Sequence, residues 1–270
     1  MKSFICKLKK ISVTAIALTA MLTAIISMPS PSYAVSENVP HSWYVKRNSD
    51  NTLPRCESNL EFIKKYNAFY GDEKAAQSAD KVIYLTFDAG YENGNVEKIL
   101  NVLKKNGVPG AFFVLENLVN RNPELIKRMA SEGHLVCNHT KKHPDMTKIT
   151  DKSTFAEQLN GLSSLIKEKC GVDSVSFYRP PEGKFSEQNL RYASELGYKT
   201  VFWSFAYADW DNNHQPSEQD AIKKILSNAH PGEIMLLHPT SKTNAAVLDN
   251  VISALKADGY RFGSLSDICL

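Results

Sequence analysis

From Lys81 onward the sequence alternates short apolar runs with amphipathic segments, and this alternation most restricts what the chain can fold into. Apolar runs at 82–87, 111–114, 135–138, 175–178, 199–205, 234–237 and 260–262 are short and bounded by polar residues, as buried strands are. Segments 96–103, 123–130, 152–169, 187–196, 219–228 and 245–257 between them read as helices. In the first of these, Val96, Ile99, Leu100 and Leu103 share one face and Gly107 ends the helix. About seven strand–helix units in one domain imply parallel strands joined by right-handed crossovers. The expected fold class is therefore α/β: a distorted, incomplete (β/α) barrel of about seven parallel strands. A doubly wound open sheet is the alternative.

Such folds carry their chemistry at the carboxyl ends of the strands. The first apolar run, Val82, Ile83, Tyr84, Leu85 and Phe87, stops at Asp88, inside the stretch Val82–Gly94. Taken alone, Asp88 reads equally well as a cap for a helix beginning near Asn93. The other strand ends add His139 and His143, Arg179, Asp209 with Trp210, and His238. If the strands are parallel, these side chains converge on one face.

Each has a chemical reading beside a plain one. His139 and His143 lie four apart in NHTKKHP, a spacing that stacks both rings on one helical turn and suits a borderline divalent ion such as zinc. Surface histidines are the plain alternative. Arg179, in FYRPPEG, offers planar donors that can orient a carboxylate, against a surface salt bridge in a rigid turn. His238 ends an apolar strand and can act as general acid or base, against a satisfied core histidine. Asp209 can hold that imidazole and raise its pKa.

The first 34 residues have the pattern of a secretory signal: Lys2, Lys7, Lys9 and Lys10, an uncharged apolar stretch at 11–26, and Ser32-Tyr33-Ala34. An uncleaved anchor is the alternative. Without this segment the net charge falls from +3 to −1, so nothing argues for a nucleic-acid partner or a polybasic membrane surface. Residues 35–79 are expected to form an N-terminal extension, with a helix at 60–69, packed on a main α/β domain at 80–270. Cys56, Cys137, Cys170 and Cys269 match no metal spacing. Cys137 reads as a small buried hydrophobe, while a Cys56–Cys269 or Cys170–Cys269 bridge stays open.

In order, TFDAG, HTKKHP, RPPEG, ADW and LLH resemble the motifs of the polysaccharide deacetylases, carbohydrate esterase family four. WYVKRN, KKYNAFYGD and DAGYENG narrow the resemblance to muramic-acid deacetylases of spore cortex. It implies removal of acetyl from N-acetylmuramic acid whose stem peptide is gone, followed by closure to muramic δ-lactam. It implies export to the cell wall or the intermembrane space of the forespore. Peptidoglycan glycan is the implied partner, with functional coupling to a muramoyl amidase. Asp88 matches the base, His238 the acid, Asp209 its partner, and Arg179 the residue orienting the base. His139 and His143 match metal ligands, and Trp210, with Tyr91 and Pro180, the sugar groove. The family's usual third metal ligand is an Asp where this chain has Ala89, so a divalent metal, zinc by preference, is expected to be weakly held. Deacetylation of N-acetylglucosamine in peptidoglycan or chitin oligomers is the alternative activity. A metal-deficient glycan-binding pseudoenzyme is the alternative of another class.

Overall fold

The computed structural model describes residues 37–268. The signal segment and Cys269 lie outside them. The strands are β1 His41–Ser42, β2 Ala68–Phe69, β3 Val82–Ala89, β4 Gly110–Val114, β5 Leu135–Asn138, β6 Phe177–Tyr178, β7 Lys184–Phe185, β8 Lys199–Val201, β9 Glu233–Leu237 and β10 Arg261–Phe262. The helices are α1 Glu73–Ala76, α2 Val96–Asn106, α3 Glu116–Arg121, α4 Pro123–Ser131, α5 Lys152–Cys170, α6 Glu187–Glu195, α7 Glu218–Leu226 and α8 Lys242–Ala257.

Eight strands form one parallel sheet running β3-β4-β5-β6-β8-β2, with β9 and β10 both paired to β3. β1 and β7 form a separate antiparallel pair. The sheet curls into an incomplete barrel. Its margins meet through two isolated bridges, Gly71 to Glu233 and Phe205 to Met235; beside the second, the Leu236 N–H donates to the Phe205 carbonyl at 2.8 Å.

β3 is covered on both faces, which is why it reads as a nearly continuous apolar run. Ile83, Leu85, Phe87 and Ala89 enter the apolar layer shared with α2 and α8, which includes Leu100, Leu103, Val251 and Leu255. Val82 and Tyr84 point to the opposite, interior side, with Phe69, Phe113 and Cys137. The two-residue period of a strand puts Thr86 and Asp88 on that interior side as well. The same alternation leaves Ala89 fully buried in the outer layer.

The sheet departs from expectation in its margins. Residues 60–69 do not form one α-helix: a 3-10 helix, Ser58–Tyr66, ends at Asn67, whose φ of 53° is left-handed. The chain then enters β2, which pairs with β8 and adds an eighth strand from the N-terminal extension. Residues 199–205 are not one strand. β8 ends at Val201, and the chain turns so that Ser204 and Phe205 reach β9. Helix α3 gave no usable period in its six residues. Cys137 is buried, as read, and Cys56, Cys137 and Cys170 are free thiols.

Candidate active site

Asp88 lies one residue before the end of β3, with only 10% of its side chain exposed. Arg179 follows β6 and is wholly buried behind it. Its Nη1 donates to Asp88 Oδ1 at 2.8 Å, its Nη2 to Thr86 Oγ1 at 2.9 Å, and its Nε to the Val201 carbonyl at 3.1 Å. The guanidinium also packs over the Phe113 ring, 4.1 Å from its centroid. A buried cation with this many fixed acceptors cannot swing away, so it holds one carboxylate oxygen of Asp88 in place.

His139 and His143 come together, but not on a helix. The segment after β5 turns through two left-handed residues, Thr140 (φ 72°) and His143 (φ 56°). Side chains of the segment hold the turn: Asn138 Oδ1 accepts from Thr140 N at 2.9 Å, and Thr140 Oγ1 from His143 N at 3.0 Å. These local bonds compete with helix formation and win. The two rings lie 5.0 Å apart at 73°. His139 Nδ1 donates to the Arg179 carbonyl at 2.8 Å, which leaves Nε2 as a lone pair 3.6 Å from Asp88 Oδ2.

Across the site, Asp209 is fully buried and accepts three donors: His238 Nδ1 at 2.7 Å, the His238 backbone N–H at 2.8 Å, and Asn244 Nδ2 at 2.6 Å. The Tyr207 hydroxyl in turn donates to Asn244 Oδ1. Both oxygens of Asp209 are thereby committed, and the imidazole is fixed with its proton on Nδ1 and Nε2 free.

The electrostatics separate the groups. Burial opposes a charge on Asp88, but His139, Arg179 and His238 outweigh it and hold the carboxyl below its ordinary value. Burial, relieved in part by Asp88 and reinforced by His143, pushes His139 down to about 4, so it is neutral at neutral pH. Burial also opposes the charge on His238. The Asp209 hydrogen bond and charge, with that of Asp88, overcome it and raise His238 above its ordinary value.

Asp88, His139, His143 and His238 line one cavity of about 900 Å³. Tyr91 and Trp210 stand on its walls, both exposed, Trp210 at 63%. Pro180 is instead buried and does not line the cavity. It precedes the 3-10 turn Pro181–Gly183, so Glu182 and Gly183 reach the wall in its place. Sequence patterns also missed Thr86, Tyr207 and Asn244, which touch the site only through long-range contacts, and the wall residues Trp43, Tyr44 and Arg47. The WYVKRN segment was the one available signal for the last three.

Among the described residues, no group of three or more His, Cys, Asp or Glu is arranged to hold a metal ion. The donor chemistry fits a metal in part. His139 presents a bare Nε2 with its other nitrogen anchored, and His143 adds a second imidazole, but Ala89 offers no third donor.

An arginine-held carboxylate and a carboxylate-held imidazole thus share one cavity at the carboxyl ends of parallel barrel strands, an arrangement suited to general acid–base chemistry. The polysaccharide deacetylase family model matches residues 75–201. The chain is 42% identical over 232 residues to the peptidoglycan-N-acetylmuramic acid deacetylase PdaA of Bacillus subtilis, covering 86% of each chain. The solved structure of that protein, a family 4 carbohydrate esterase, is similar with a TM-score of 0.80 over 86% of this chain and 97% of that one. A family 4 carbohydrate esterase from Bacillus anthracis is 39% identical, with a TM-score of 0.69 over 86% of this chain and 96% of the other. A peptidoglycan-N-acetylglucosamine deacetylase of Bacillus cereus is 30% identical over 84% of this chain and 80% of its own. The chain belongs to the polysaccharide deacetylase family, whose members are generally metal-dependent hydrolases.

Proposed function

We propose that this protein removes the N-acetyl group from N-acetylmuramic acid in peptidoglycan glycan freed of its stem peptides. The observation that carries the reading is the pairing of two opposed groups in one cavity: the Asp88 carboxylate bound by Arg179, and the His238 imidazole bound by Asp209, which raises its proton affinity. The likeness to an N-acetylmuramic acid deacetylase supports the choice of sugar.

Asp88 takes a proton from the attacking water as its oxygen bonds to the acetyl carbonyl carbon. Arg179 keeps the second carboxylate oxygen occupied, so the free one faces the water. His238 gives its proton to the departing nitrogen as the C–N bond breaks, and acetate and the amine leave. Asp209 stabilises the imidazolium before that transfer. A zinc-type ion, held weakly by His139 Nε2 and His143, would supply Lewis-acid polarisation of the acetyl group. Trp210 and Tyr91 form apolar walls for sugar rings. The freed amine then stands beside the lactyl carboxylate, and their condensation with loss of water gives muramic δ-lactam. Such a substrate requires export to the cell wall and prior action of an amidase on the stem peptide. Residues 1–34 would serve as the export signal, and 35–79 as an extension of the catalytic domain.

The test is to incubate the purified protein with peptide-stripped and peptide-bearing glycans, with zinc or with chelator, and follow product mass. Acetyl loss on muramic acid, restricted to stripped glycan and to metal, is expected. Acetyl loss on glucosamine instead would replace the substrate reading, and no loss in any condition would refute the activity.

A further inference from the structure

The extension reaches the cavity because one aromatic residue is pinned. Trp43 is buried, its Nε1–H donates to the Trp203 carbonyl at 2.9 Å, and its backbone N–H donates to the Gly183 carbonyl at 2.8 Å. Its ring stacks on Phe202, 4.5 Å between centroids. Four residues later Arg47 arrives at the cavity wall, where its Nη2 donates to the Ala206 carbonyl at 2.7 Å. The guanidinium carbon sits 5.4 Å from the Phe205 ring centroid.

Among the described residues lining the cavity, Arg47 is the only Arg or Lys, and no carboxylate pairs with it. The exposed acid on the wall, Glu182, is already paired with Lys184 at 2.6 Å. One backbone bond uses one of the five guanidinium N–H donors, leaving a fork able to take a carboxylate. The reacting sugar has such a group. In peptide-stripped muramic acid, the carbon beside the acetamide carries a lactyl ether ending in a carboxylate. Glucosamine has a neutral hydroxyl at that carbon, and peptide-bearing muramic acid has a neutral amide at the end of the lactyl group.

We propose that Arg47 is a specificity-determining residue that binds the free lactyl carboxylate, and so selects stripped muramic acid over both neutral alternatives. The proposal rests on the muramic-acid reading above. A role confined to tying the extension to Ala206 is the competing account, and Arg47→Gln separates the two: its amide N–H can still donate to that carbonyl while the charge is gone.

The experiment compares wild type, Arg47→Gln and Arg47→Lys on peptide-stripped glycan and on the same glycan with its lactyl carboxyls converted to methylamides. Acetate release is measured at low and high salt, and melting temperature is recorded for each variant. Wild type should favour the carboxylate form by about tenfold in kcat/KM, the worth of one charge-assisted bond. That preference should shrink as salt screens it. Arg47→Gln should lose about tenfold on the carboxylate form and nothing on the methylamide, and Arg47→Lys should recover part of the loss. Equal slowing on both glycans, or a wild type indifferent to the carboxylate while it deacetylates muramic acid, overturns the role of Arg47. Acetate released from glucosamine alone would instead show that the muramic-acid reading has failed, and would remove the proposal with it.

Discussion

Asp209→Asn is the substitution that most directly probes how the site sets proton affinities. Asp209 is fully buried and receives three N–H donors on two oxygens at 2.6–2.8 Å. An amide can turn only one oxygen toward them, so its NH2 must face a donor. Leaving such a group unsatisfied costs about 1–3 kcal/mol of stability. The larger effect is on His238, whose raised proton affinity comes from the Asp209 hydrogen bond and charge working against burial. A hydrogen bond to a charged partner is worth about 1.5–3 kcal/mol, and each unit of pKa is 1.36 kcal/mol, so the His238 pKa should fall by about one to two units. On the proposed reading His238 is the general acid and must be protonated, so activity in wild type should be lost as pH rises through the raised His238 value. In the variant that basic limb should move to lower pH, and neutral-pH kcat should drop by about ten- to a hundredfold. The assay is a pH–rate profile for acetate release, with melting temperature recorded at each pH. An unmoved basic limb, with activity reduced in equal proportion at every pH, would refute the argument.

Three further outcomes follow from the same geometry. Ala89→Asp should melt lower than wild type, because it puts a carboxylate into the apolar layer packed under α2 and α8; an unchanged melting temperature would refute that packing. Trp210→Ala should raise KM several-fold with kcat and melting temperature nearly unchanged, because the ring is 63% exposed. Glu233 is fully buried, with one oxygen accepting only from the His230 N–H and the other unpartnered, and burial pushes its carboxyl well above the ordinary value. Its stabilising contribution is present below the unfolded value near 4.5 and is lost as pH rises toward the folded one. Glu233→Gln should therefore melt about 2–4 °C higher than wild type at neutral pH per kcal/mol gained, with the gap closing near pH 4; a gap independent of pH would contradict this.

Much of the site was legible one residue at a time. Asp88, His139, Arg179 and His238 each stand at the end of an apolar run that forms a parallel strand, and parallel strands put all such ends on one side; Asp209 lies well beyond the end of β8 and is brought in by the turn through Phe205. The alternation within β3 even assigns faces, with Asp88 inward beside Tyr84 and Ala89 outward beside Phe87. Seven of the eight parallel strands were visible for the same reason: a buried strand writes its own local pattern. Local patterns failed where a longer-range contact or a left-handed residue overrode them. Asn67 breaks the expected 60–69 helix, and β2 becomes a strand because β8 offers it a partner. Thr140 and His143 replace a helical turn with a tight loop.

The sequence by itself determined which residues could be strand ends and which faces those strands would bury, because both follow from periodicity within a few neighbours. Only the tertiary structure decided which side chains meet. Arg179 reaches Asp88 across 91 residues, Asn244 supports Asp209 across 35, and Arg47 meets Ala206 across 159. Those distances are closed by sheet order and by the burial of Trp43 and Phe202, which no local pattern encodes.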